Sequence, residues 1–465
     1  MVLLQQLLQA RRPRLPLHLP AHGRGRGLAP ALARLLRQAP GRWDLPELPE
    51  IGGPLEDEGA VADSQRALAD LLGAKRCWYG VNGASGLLQA GLLALAQPGE
   101  RVLLPRNLHR SLLHGCLLGQ LEPVLFDLPF DPASGLWLPP SPEHLEAVIR
   151  AALAEGPLAA LVLVSPSYQG LAGDLAGLVA LAHRQGLPVL LDEAHGAHLG
   201  LDPRLPAPGL EAGADLVVQS LQKAAGGLAQ SAVLLQGAGS DLDLGRIERA
   251  LLWLQTSSPS ALLLASTEAA LLHLRSAQGR QQLRRALDHG LRLRQRLQAR
   301  GLQLLENQDP LRLSWICAAD GINGLEADDW LMQRGVIAEL PEPGCLTFCL
   351  GLQPPRGLLR QLPAALHQLR RSLGSAECLT FIPPPLPLVA SPERPLAEAW
   401  RAPAEAVPLE LAAGRLAAEP LCPYPPGIPL LIPGERIDGP RAAWLQEQRR
   451  LWPHQIADTV KVLIA

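Results

Sequence analysis

Residues 158–195, LAALVLVSPSYQGLAGDLAGLVALAHRQGLPVLLDEAH, decide the fold. The apolar run LAALVLVSP at 158–166 predicts a strand, and DLAGLVALAHRQG at 174–186 has helical spacing. A second apolar strand, LPVLLDEAH, follows at 187–195. Strands that are apolar throughout are typical of a parallel sheet covered by helices on both faces. This unit therefore predicts an α/β domain with a mainly parallel sheet.

The same alternation continues on both sides of this unit and divides the chain. Helices are predicted at 60–73, 85–100 and 141–155, strands at 77–81, 101–105, 123–127, 214–220 and 231–237, and mostly helix over 241–300. Beyond 300 the predicted strands are 302–306, 311–318, 336–340 and 345–351, with helices at 324–335 and 355–373. We predict an N-terminal arm (1–56), a major domain (57–300), a small α+β domain (301–380), and a C-terminal part (381–465) that begins with an extended proline-rich connector, 381–408.

Composition narrows the class of protein. The 465 residues are 48% hydrophobic and 18% charged, with a formal net charge of −2, so no basic face for nucleic acid or an anionic membrane is expected. The seven cysteines form no C-x-x-C pair, which argues against a disulfide framework or a zinc site. We see no signal peptide and no membrane span, and we expect a cytoplasmic protein.

Four polar segments follow predicted strands. Ligands bind at the carboxyl ends of strands in open parallel sheets, so these segments are expected to share one rim. The four segments are VNGASG (81–86), PRNLHRS (105–111), LDEAHGAH (191–198) and SLQK (220–223).

The first two segments have both functional and purely structural interpretations. Backbone N–H groups of VNGASG, at the start of a predicted helix, can hold an anion, although such a string is more often a plain tight turn. His109 of the second segment can lie flat against a planar ligand. A hydrogen-bonded structural histidine is the competing interpretation.

The third segment places a carboxylate at the end of an apolar strand. Asp192 there is partly desolvated and needs a cationic partner, and a protonated pyridine nitrogen would serve. Ala194 is small enough to let a ring approach. His195 and His198 have a spacing that metal ligands use, but no third ligand stands at a matching distance, so we predict no metal.

The fourth segment contains one of only three lysines in the chain, among 42 lysines and arginines. Lys223 stands among small uncharged residues, and its amine can form a Schiff base with an aldehyde, which arginine cannot. A strand-end aspartate, a following lysine and an upstream anion cradle together suit pyridoxal phosphate as cofactor.

On these residues the chain resembles the Orn/Lys/Arg decarboxylases, pyridoxal-phosphate enzymes of the aspartate-aminotransferase fold, in their shorter bacterial form. The resemblance implies a mainly parallel sheet of seven-stranded type and a smaller α+β domain after it. The last of the matching strings discriminates best from aminotransferases and α-oxoamine synthases. The strings are HLPAHGRG (18–25), DLPEL (44–48), GAKRCWYGVNGASG (73–86), PRNLHRS (105–111), SPSYQG (165–170), LPVLLDEAHGAH (187–198), SLQK (220–223), QTSSPS (255–260) and YPPGIPLLIPGE (424–435).

The resemblance implies roles around the cofactor ring. Lys223 would carry the cofactor aldehyde, and Asp192 would pair with the pyridine nitrogen. His109 would stack on one ring face and Ala194 would pack on the other. His195 would lie near the ring hydroxyl. Lys223, His109 and Asp192 are the predicted catalytic residues.

The resemblance also implies a phosphate site. Ser85, with the turn at Gly83 and Ala84, would hold the phosphate with help from Ser220. Gln222 stands where the family has histidine, and it can still donate a hydrogen bond to phosphate. Ala84 stands where a hydroxyl residue is common, so one phosphate contact is expected to be lost.

The resemblance also implies that the protein forms an oligomer. Ser257 and Ser258 resemble the segment that reaches the phosphate of a neighbouring subunit, which implies a homodimer or a higher homo-oligomer.

Three carboxylates are candidates for binding the cationic end of a substrate, Asp44, Glu47 and Glu339.

The expected reaction is decarboxylation of arginine, lysine or ornithine. Another reaction on the same fold, by an aminotransferase or an α-oxoamine synthase-like enzyme, is an alternative. Residues 311–350 contain no obvious SxxR-like arginine strand, which counts against an aminotransferase. A catalytically inactive regulatory or binding relative is the third possibility, motivated by Ala84 and Gln222.

Overall fold

The computed structural model describes residues 2–9, 13–39, 41–45, 48–423, 427–453 and 455–464. The strands are β1 (Leu15–Pro16), β2 (Ala74–Gly80), β3 (Arg101–Pro105), β4 (Glu122–Phe126), β5 (Phe130–Asp131), β6 (Leu136–Trp137), β7 (Ala160–Val164), β8 (Val189–Asp192), β9 (Leu216–Ser220), β10 (Ala232–Gly237), β11 (Arg312–Trp315), β12 (Val336–Ile337), β13 (Leu340–Pro341), β14 (Leu346–Cys349), β15 (Val389–Ala390), β16 (Ala404–Pro408) and β17 (Thr459–Leu463).

In the first half of the chain most helices lie between successive strands, whereas α9, α10 and α11 follow one another directly. They are α1 (Val2–Gln9), α2 (Pro30–Leu35), α3 (Ala60–Leu72), α4 (Gly83–Leu95), α5 (Arg110–Gly119), α6 (Pro142–Glu155), α7 (Leu175–Arg184), α8 (Leu221–Ala224), α9 (Leu244–Leu254), α10 (Ala261–Arg275), α11 (Ala277–Gln298), α12 (Gly324–Met332), α13 (Leu358–Leu373), α14 (Leu396–Arg401) and α15 (Gly439–Leu451). Within the described ranges, no helix is long and apolar enough to cross a membrane.

A large sheet forms the centre, in the order β15-β4-β3-β7-β8-β9-β10-β2. Strands β4, β3, β7, β8 and β9 run parallel to one another, whereas β10 is antiparallel to both β9 and β2. The predicted mainly parallel sheet of seven-stranded type is confirmed over β4 to β2. The short strand β15 adds an antiparallel edge beside β4.

Burial on both faces explains the continuous apolar strands. Neighbouring residues of β8 belong to different clusters, Leu190 to one and Leu191 to the other. Leu103 and Leu104 of β3 divide in the same way. Because successive side chains of a strand point to opposite faces, each strand must be apolar at every position to serve two cores.

Helix ends agree with the expected capping residues. Gly73 ends α3 in the left-handed region, with φ 68° and open space around its missing Cβ. Ser141 precedes α6, and its side chain accepts a hydrogen bond from the His144 N–H, with Pro142 in the first turn. Both helix boundaries are therefore set by local chemistry that sequence can predict.

Two predicted segments differ from the structure. The predicted strand 302–306 makes only one bridge, Leu304 to Trp315, because the chain turns at 307–310 and re-enters as β11. The predicted connector 381–408 is not simply extended, because it contains β15, α14 and the start of a two-stranded sheet. Leu396 and Ala399 of α14 are buried, and this burial provides the packing that holds a short helix.

The segment after 300 forms a three-stranded sheet in the order β11-β14-β13. Strand β1, from the N-terminal arm, pairs with β12. Farther along, β16 and β17 pair antiparallel over a separate apolar cluster that includes Leu431 and Ile437. The proposed domain limits remain predictions: one apolar cluster extends from Leu15 through Leu191 to Leu366, and the C-terminal part has a cluster of its own.

A buried ion pair joins the C-terminal part to the central sheet. Arg106, directly after β3, is fully buried, and its guanidinium lies 2.7 Å from Glu435 Oε1. The same side chain donates to the carbonyls of Pro429 and Leu430, at 3.2 and 3.0 Å. The C-terminal segment is therefore held at the carboxyl end of the sheet, where the polar segments lie.

Candidate active site

A cavity of about 690 Å³ opens at the carboxyl ends of the parallel strands. Three of the four predicted polar segments contribute to its wall, together with residues of the small domain and the C-terminal part. Its polar or ionisable lining residues include Asn107, His109, Arg110, His114, Ser167, Tyr168, Gln169, Asp192, His195, Lys223, Glu339, Glu342 and Cys422.

Lys223 lies in the first turn after β9, in the short helix α8. Its Nζ is 3.2 Å from His195 Nε2 and 5.1 Å from the centroid of the Tyr168 ring. Burial lowers the pKa of Lys223, and the nearby charge of Asp192 opposes that effect. A lowered pKa increases the fraction of neutral amine, which is the nucleophilic form.

Asp192 ends β8 and is 6% exposed. Its Oδ1 accepts a hydrogen bond from the Ala194 N–H at 3.1 Å, which fixes the carboxylate against the next turn. In the part of the chain that the structure describes, no cationic side chain forms an ion pair with it. A buried carboxylate at a cavity without such a partner suits a cationic ring nitrogen of a ligand.

His109 has a structural role and also lines the cavity, so stacking on a planar ligand stays a prediction. It is the N-cap of α5, where its Nδ1 accepts from the Ser111 N–H at 3.2 Å and lies 2.8 Å from Ser111 Oγ. It also lines the cavity. Burial lowers the pKa of His109, so the ring is held neutral and in a fixed orientation beside the cavity.

His195 is buried between two cationic side chains. Its ring centroid lies 4.2 Å from that of Tyr168, at an interplanar angle of 58°. Burial, followed by the charges of Lys223 and Arg312, lowers the pKa of His195 well below its ordinary value. The imidazole is therefore neutral and can exchange a hydrogen bond with the Lys223 amine.

Arg312 was not expected from the sequence. It lies on β11 of the small domain, is fully buried, and donates to the Lys223 carbonyl at 3.1 Å. Its Nη2 is also 3.5 Å from His195 Nδ1. Residues 311–350 thus bring an arginine to the site without an SxxR pattern, so the lack of that pattern does not discriminate against an aminotransferase. The sequence feature that could have identified Arg312 as a site residue is its charge inside the otherwise apolar run LRLSW at 311–315.

The predicted phosphate turn lies at the start of α4. Gly83 has φ 65°, and its N–H bonds to the Gln230 carbonyl, in the loop between α8 and β10. The N-cap residue Asn82 makes no side-chain cap, so the first turn that contains Ala84 and Ser85 is not closed by a side chain. None of Gly83, Ala84 and Ser85 is among the residues that line the 690 Å³ cavity.

Of the other residues predicted to contact the phosphate, two lie near Lys223 and two lie away from the cavity. Ser220 is buried at the end of β9, three residues before Lys223, and Gln222 is half-buried, with its carbonyl accepting a hydrogen bond from Ala21 N–H at 2.8 Å. Ser257 and Ser258 are exposed after α9 and do not line the cavity.

The carboxylates predicted to bind the cationic end of the substrate differ in whether they line the cavity. Glu339 lines the cavity. Asp44 is exposed and is not among the lining residues, and Glu47 lies outside the described residues. Glu342, which was not predicted, also lines the cavity.

The sheet order is that of the aspartate-aminotransferase fold, with Asp192 and Lys223 at the carboxyl ends of its strands. The family model for the Orn/Lys/Arg decarboxylase major domain matches residues 4–342, and the model for the C-terminal domain of the same family matches residues 379–451. The chain belongs to the Orn/Lys/Arg decarboxylase family, and it is an amino-acid decarboxylase rather than an aminotransferase or an α-oxoamine synthase.

Individual relatives agree with this assignment. An arginine decarboxylase of Halalkalibacterium halodurans is 30% identical over 456 residues, covering 93% of this chain and 90% of the relative. An arginine decarboxylase of Bacillus subtilis is 29% identical, covering 90% and 87%. Among solved structures, lysine decarboxylase A from Pseudomonas aeruginosa has a TM-score of 0.76 at 19% identity, covering 99% of this chain and 80% of that chain, which shows the shared fold.

Proposed function

We propose that this decarboxylase acts on a basic amino acid, with arginine as the preferred substrate, and releases CO2 and the corresponding amine, agmatine. The observation that carries the proposal is the half-buried amine of Lys223, which lies in the cavity 3.2 Å from His195 and near the charge of Asp192. The names of the two relatives at about 30% identity favour arginine over lysine and ornithine.

The ring of pyridoxal phosphate fits the groups at the centre of the cavity. When bound, the cofactor supplies an electron sink that accepts the charge left when CO2 departs. Lys223 would hold the cofactor aldehyde, and Asp192 would keep a proton on the ring nitrogen. The neutral ring of His109 would cover one face, and Ala194, next to Asp192, leaves room at the other.

The phosphate would be held at the start of α4. The uncapped N–H groups of its first turn, with the Ser85 hydroxyl, form a site where the helix dipole favours an anion. Ser220 and Gln222, on either side of Leu221, would add a hydroxyl and an amide. Ala84 supplies only its N–H, so we expect weaker phosphate binding than a hydroxyl residue would give.

Proton delivery is assigned to Lys223. The carbon that loses CO2 must gain a proton, and the Lys223 amine lies in the cavity within hydrogen-bond distance of His195. His195 is held neutral, so its Nε2 can hydrogen-bond to the Lys223 amine and orient it without placing a second charge beside Arg312.

We further propose a homodimer in the cytoplasm. Ser257 and Ser258 are exposed and lie apart from the cavity of their own chain, next to the exposed Trp253. A second subunit would bring these hydroxyls to its partner's phosphate.

The test is spectroscopic and chemical together. Purified protein with added pyridoxal phosphate should show a visible absorbance band, and CO2 should be released from arginine faster than from lysine or ornithine. Lys223→Ala should lose both signals. A wild type that binds the cofactor but releases no CO2 from any of the three amino acids would contradict the proposed reaction and favour an inactive relative.

A further inference from the structure

Three carboxylates line the cavity in the described part of the chain, Asp192, Glu339 and Glu342. A basic amino acid brings a cationic side-chain end into this cavity, and a buried cation requires a carboxylate or a carbonyl partner. Asp192 is proposed above to face the cofactor ring. The substrate cation is therefore left with Glu339 or Glu342.

Glu339 already has partners. Its Oε2 accepts a hydrogen bond from the Leu19 N–H at 2.7 Å. Burial raises the pKa of Glu339, while the Leu19 bond and the charge of Arg312 oppose that rise. Lys223 is a further cation in its surroundings. Glu339 thus balances positive charges that belong to the protein itself.

Glu342 has a different environment. It is 4% exposed, and its Oε2 accepts a hydrogen bond from Gln169 Nε2 at 2.7 Å. Burial raises the pKa of Glu342 to about 7, and the Gln169 bond is the opposing influence. Among the described residues, no arginine, lysine or histidine forms an ion pair with it. A cation that entered the cavity would favour the ionised form of Glu342 and supply the positive partner that this carboxylate lacks.

The amide of Gln169 is itself fixed. Its Oε1 accepts from Ser167 Oγ at 3.0 Å, so its Nε2 is turned toward Glu342. Gln169 follows Tyr168, whose ring faces His195 and the Lys223 amine. Lys223, Tyr168, Gln169 and Glu342 all line the same cavity, so a ligand at Lys223 shares this cavity with the Glu342 carboxylate.

We propose that Glu342, oriented by Gln169, binds the cationic end of the substrate side chain and that the preferred cation is a guanidinium. The planar guanidinium fork can donate to both carboxylate oxygens at once, whereas an ammonium acts as a point charge. Glu342 is then a specificity-determining residue, and Gln169 is a positioning residue. The inference rests on the proposed function, because it presumes a basic amino acid as substrate.

The experiment compares arginine with citrulline, its neutral isostere, on the holoenzyme. Glu342→Gln removes the charge and keeps the shape, Glu342→Asp keeps the charge, and Glu326→Gln changes an exposed carboxylate on α12 as the matched control. We expect Glu342→Gln to raise KM for arginine at least tenfold and to lower the preference for arginine over citrulline at least tenfold. Glu342→Asp and Glu326→Gln should keep that preference.

A second readout does not depend on turnover. Calorimetry with agmatine should show at least tenfold weaker binding to Glu342→Gln than to wild type, with the cofactor absorbance unchanged. A Glu342→Gln variant with wild-type KM, arginine preference and agmatine affinity would overturn the assignment, as would a wild type that prefers lysine. A wild type that releases no CO2 contradicts the proposed function instead, and the agmatine titration still decides on Glu342.

Discussion

The side-chain amine of Lys223 and the imidazole of His195 lie 3.2 Å apart, both next to the ring of Tyr168. Two bases so close together, one buried and one half-buried, cannot both be charged at low cost, and the pKa of each is lowered. The site therefore holds Lys223 closer to its reactive neutral form than an exposed lysine would be.

The first prediction uses the scarcity of lysine. The chain has three lysines, of which Lys75 bonds to the Ser240 carbonyl and Lys461 is exposed. The double variant Lys75→Arg/Lys461→Arg should bind one equivalent of pyridoxal phosphate per chain, as wild type does. Lys223→Arg should bind none covalently, because a guanidinium does not condense with the aldehyde. Borohydride reduction followed by peptide mapping identifies the lysine that carries the cofactor. Cofactor attached to Lys75 or Lys461 would contradict the prediction.

The second prediction concerns Arg312. Arg312→Lys removes the planar fork that donates to the Lys223 carbonyl, so we expect kcat to fall at least tenfold. The matched control is Arg294→Lys on α11, which also loses a bond to a carbonyl, that of Leu305, but lies outside the residues that line the cavity. Steady-state kinetics with arginine compare the two variants. An equal loss of activity in both would mean that Arg312 contributes only to the stability of the fold.

The third prediction concerns Glu193, buried directly after Asp192. Its carboxylate accepts from Gln219 Nε2 and the Gly209 N–H, both at 2.6 Å, yet burial raises its pKa from 4.5 to about 7. A raised folded pKa favours the protonated acid, so this group lowers stability as pH rises from about 4.5 through about 7.

Glu193→Gln should therefore stabilise the protein at pH 8, by ~1–3 kcal/mol, and have little effect at pH 4.5. The Gln219 Oε1 has no hydrogen-bond partner among the described residues, so that amide can turn and accept from the new side chain. Urea unfolding at the two pH values tests this. A change in the free energy of unfolding that is the same at both would show that Glu193 does not titrate as stated.

The fourth prediction concerns the buried pair Arg106–Glu435. Glu435→Ala leaves the Arg106 charge buried without its counter-charge, which should cost ~3–5 kcal/mol of stability. Glu405→Ala breaks a partly exposed pair with Arg415 in the same region and should cost at most ~1 kcal/mol. Denaturant unfolding measures the free energy of unfolding of the two variants. A similar loss of stability in both would mean that solvent reaches Arg106.

Sequence could predict the rim because its residues follow strands. His109, Asp192 and Lys223 come just after or at the ends of β3, β8 and β9, and parallel strands bring their carboxyl ends together regardless of the distance along the chain. Arg312 and Glu342 could not be found in this way. They enter from the small domain, whose position against the rim depends on tertiary packing that no local pattern encodes.

The N-terminal arm bears on how the site assembles in a cell. Ala21 donates its N–H to the Gln222 carbonyl, next to Lys223, and β1 pairs with β12, which is more distant still in the sequence. During synthesis the arm leaves the ribosome before its hydrogen-bonding partners, which are translated roughly 200 to 300 residues later. The arm therefore stays without these partners on the nascent chain until residues 222 and 336–337 have emerged.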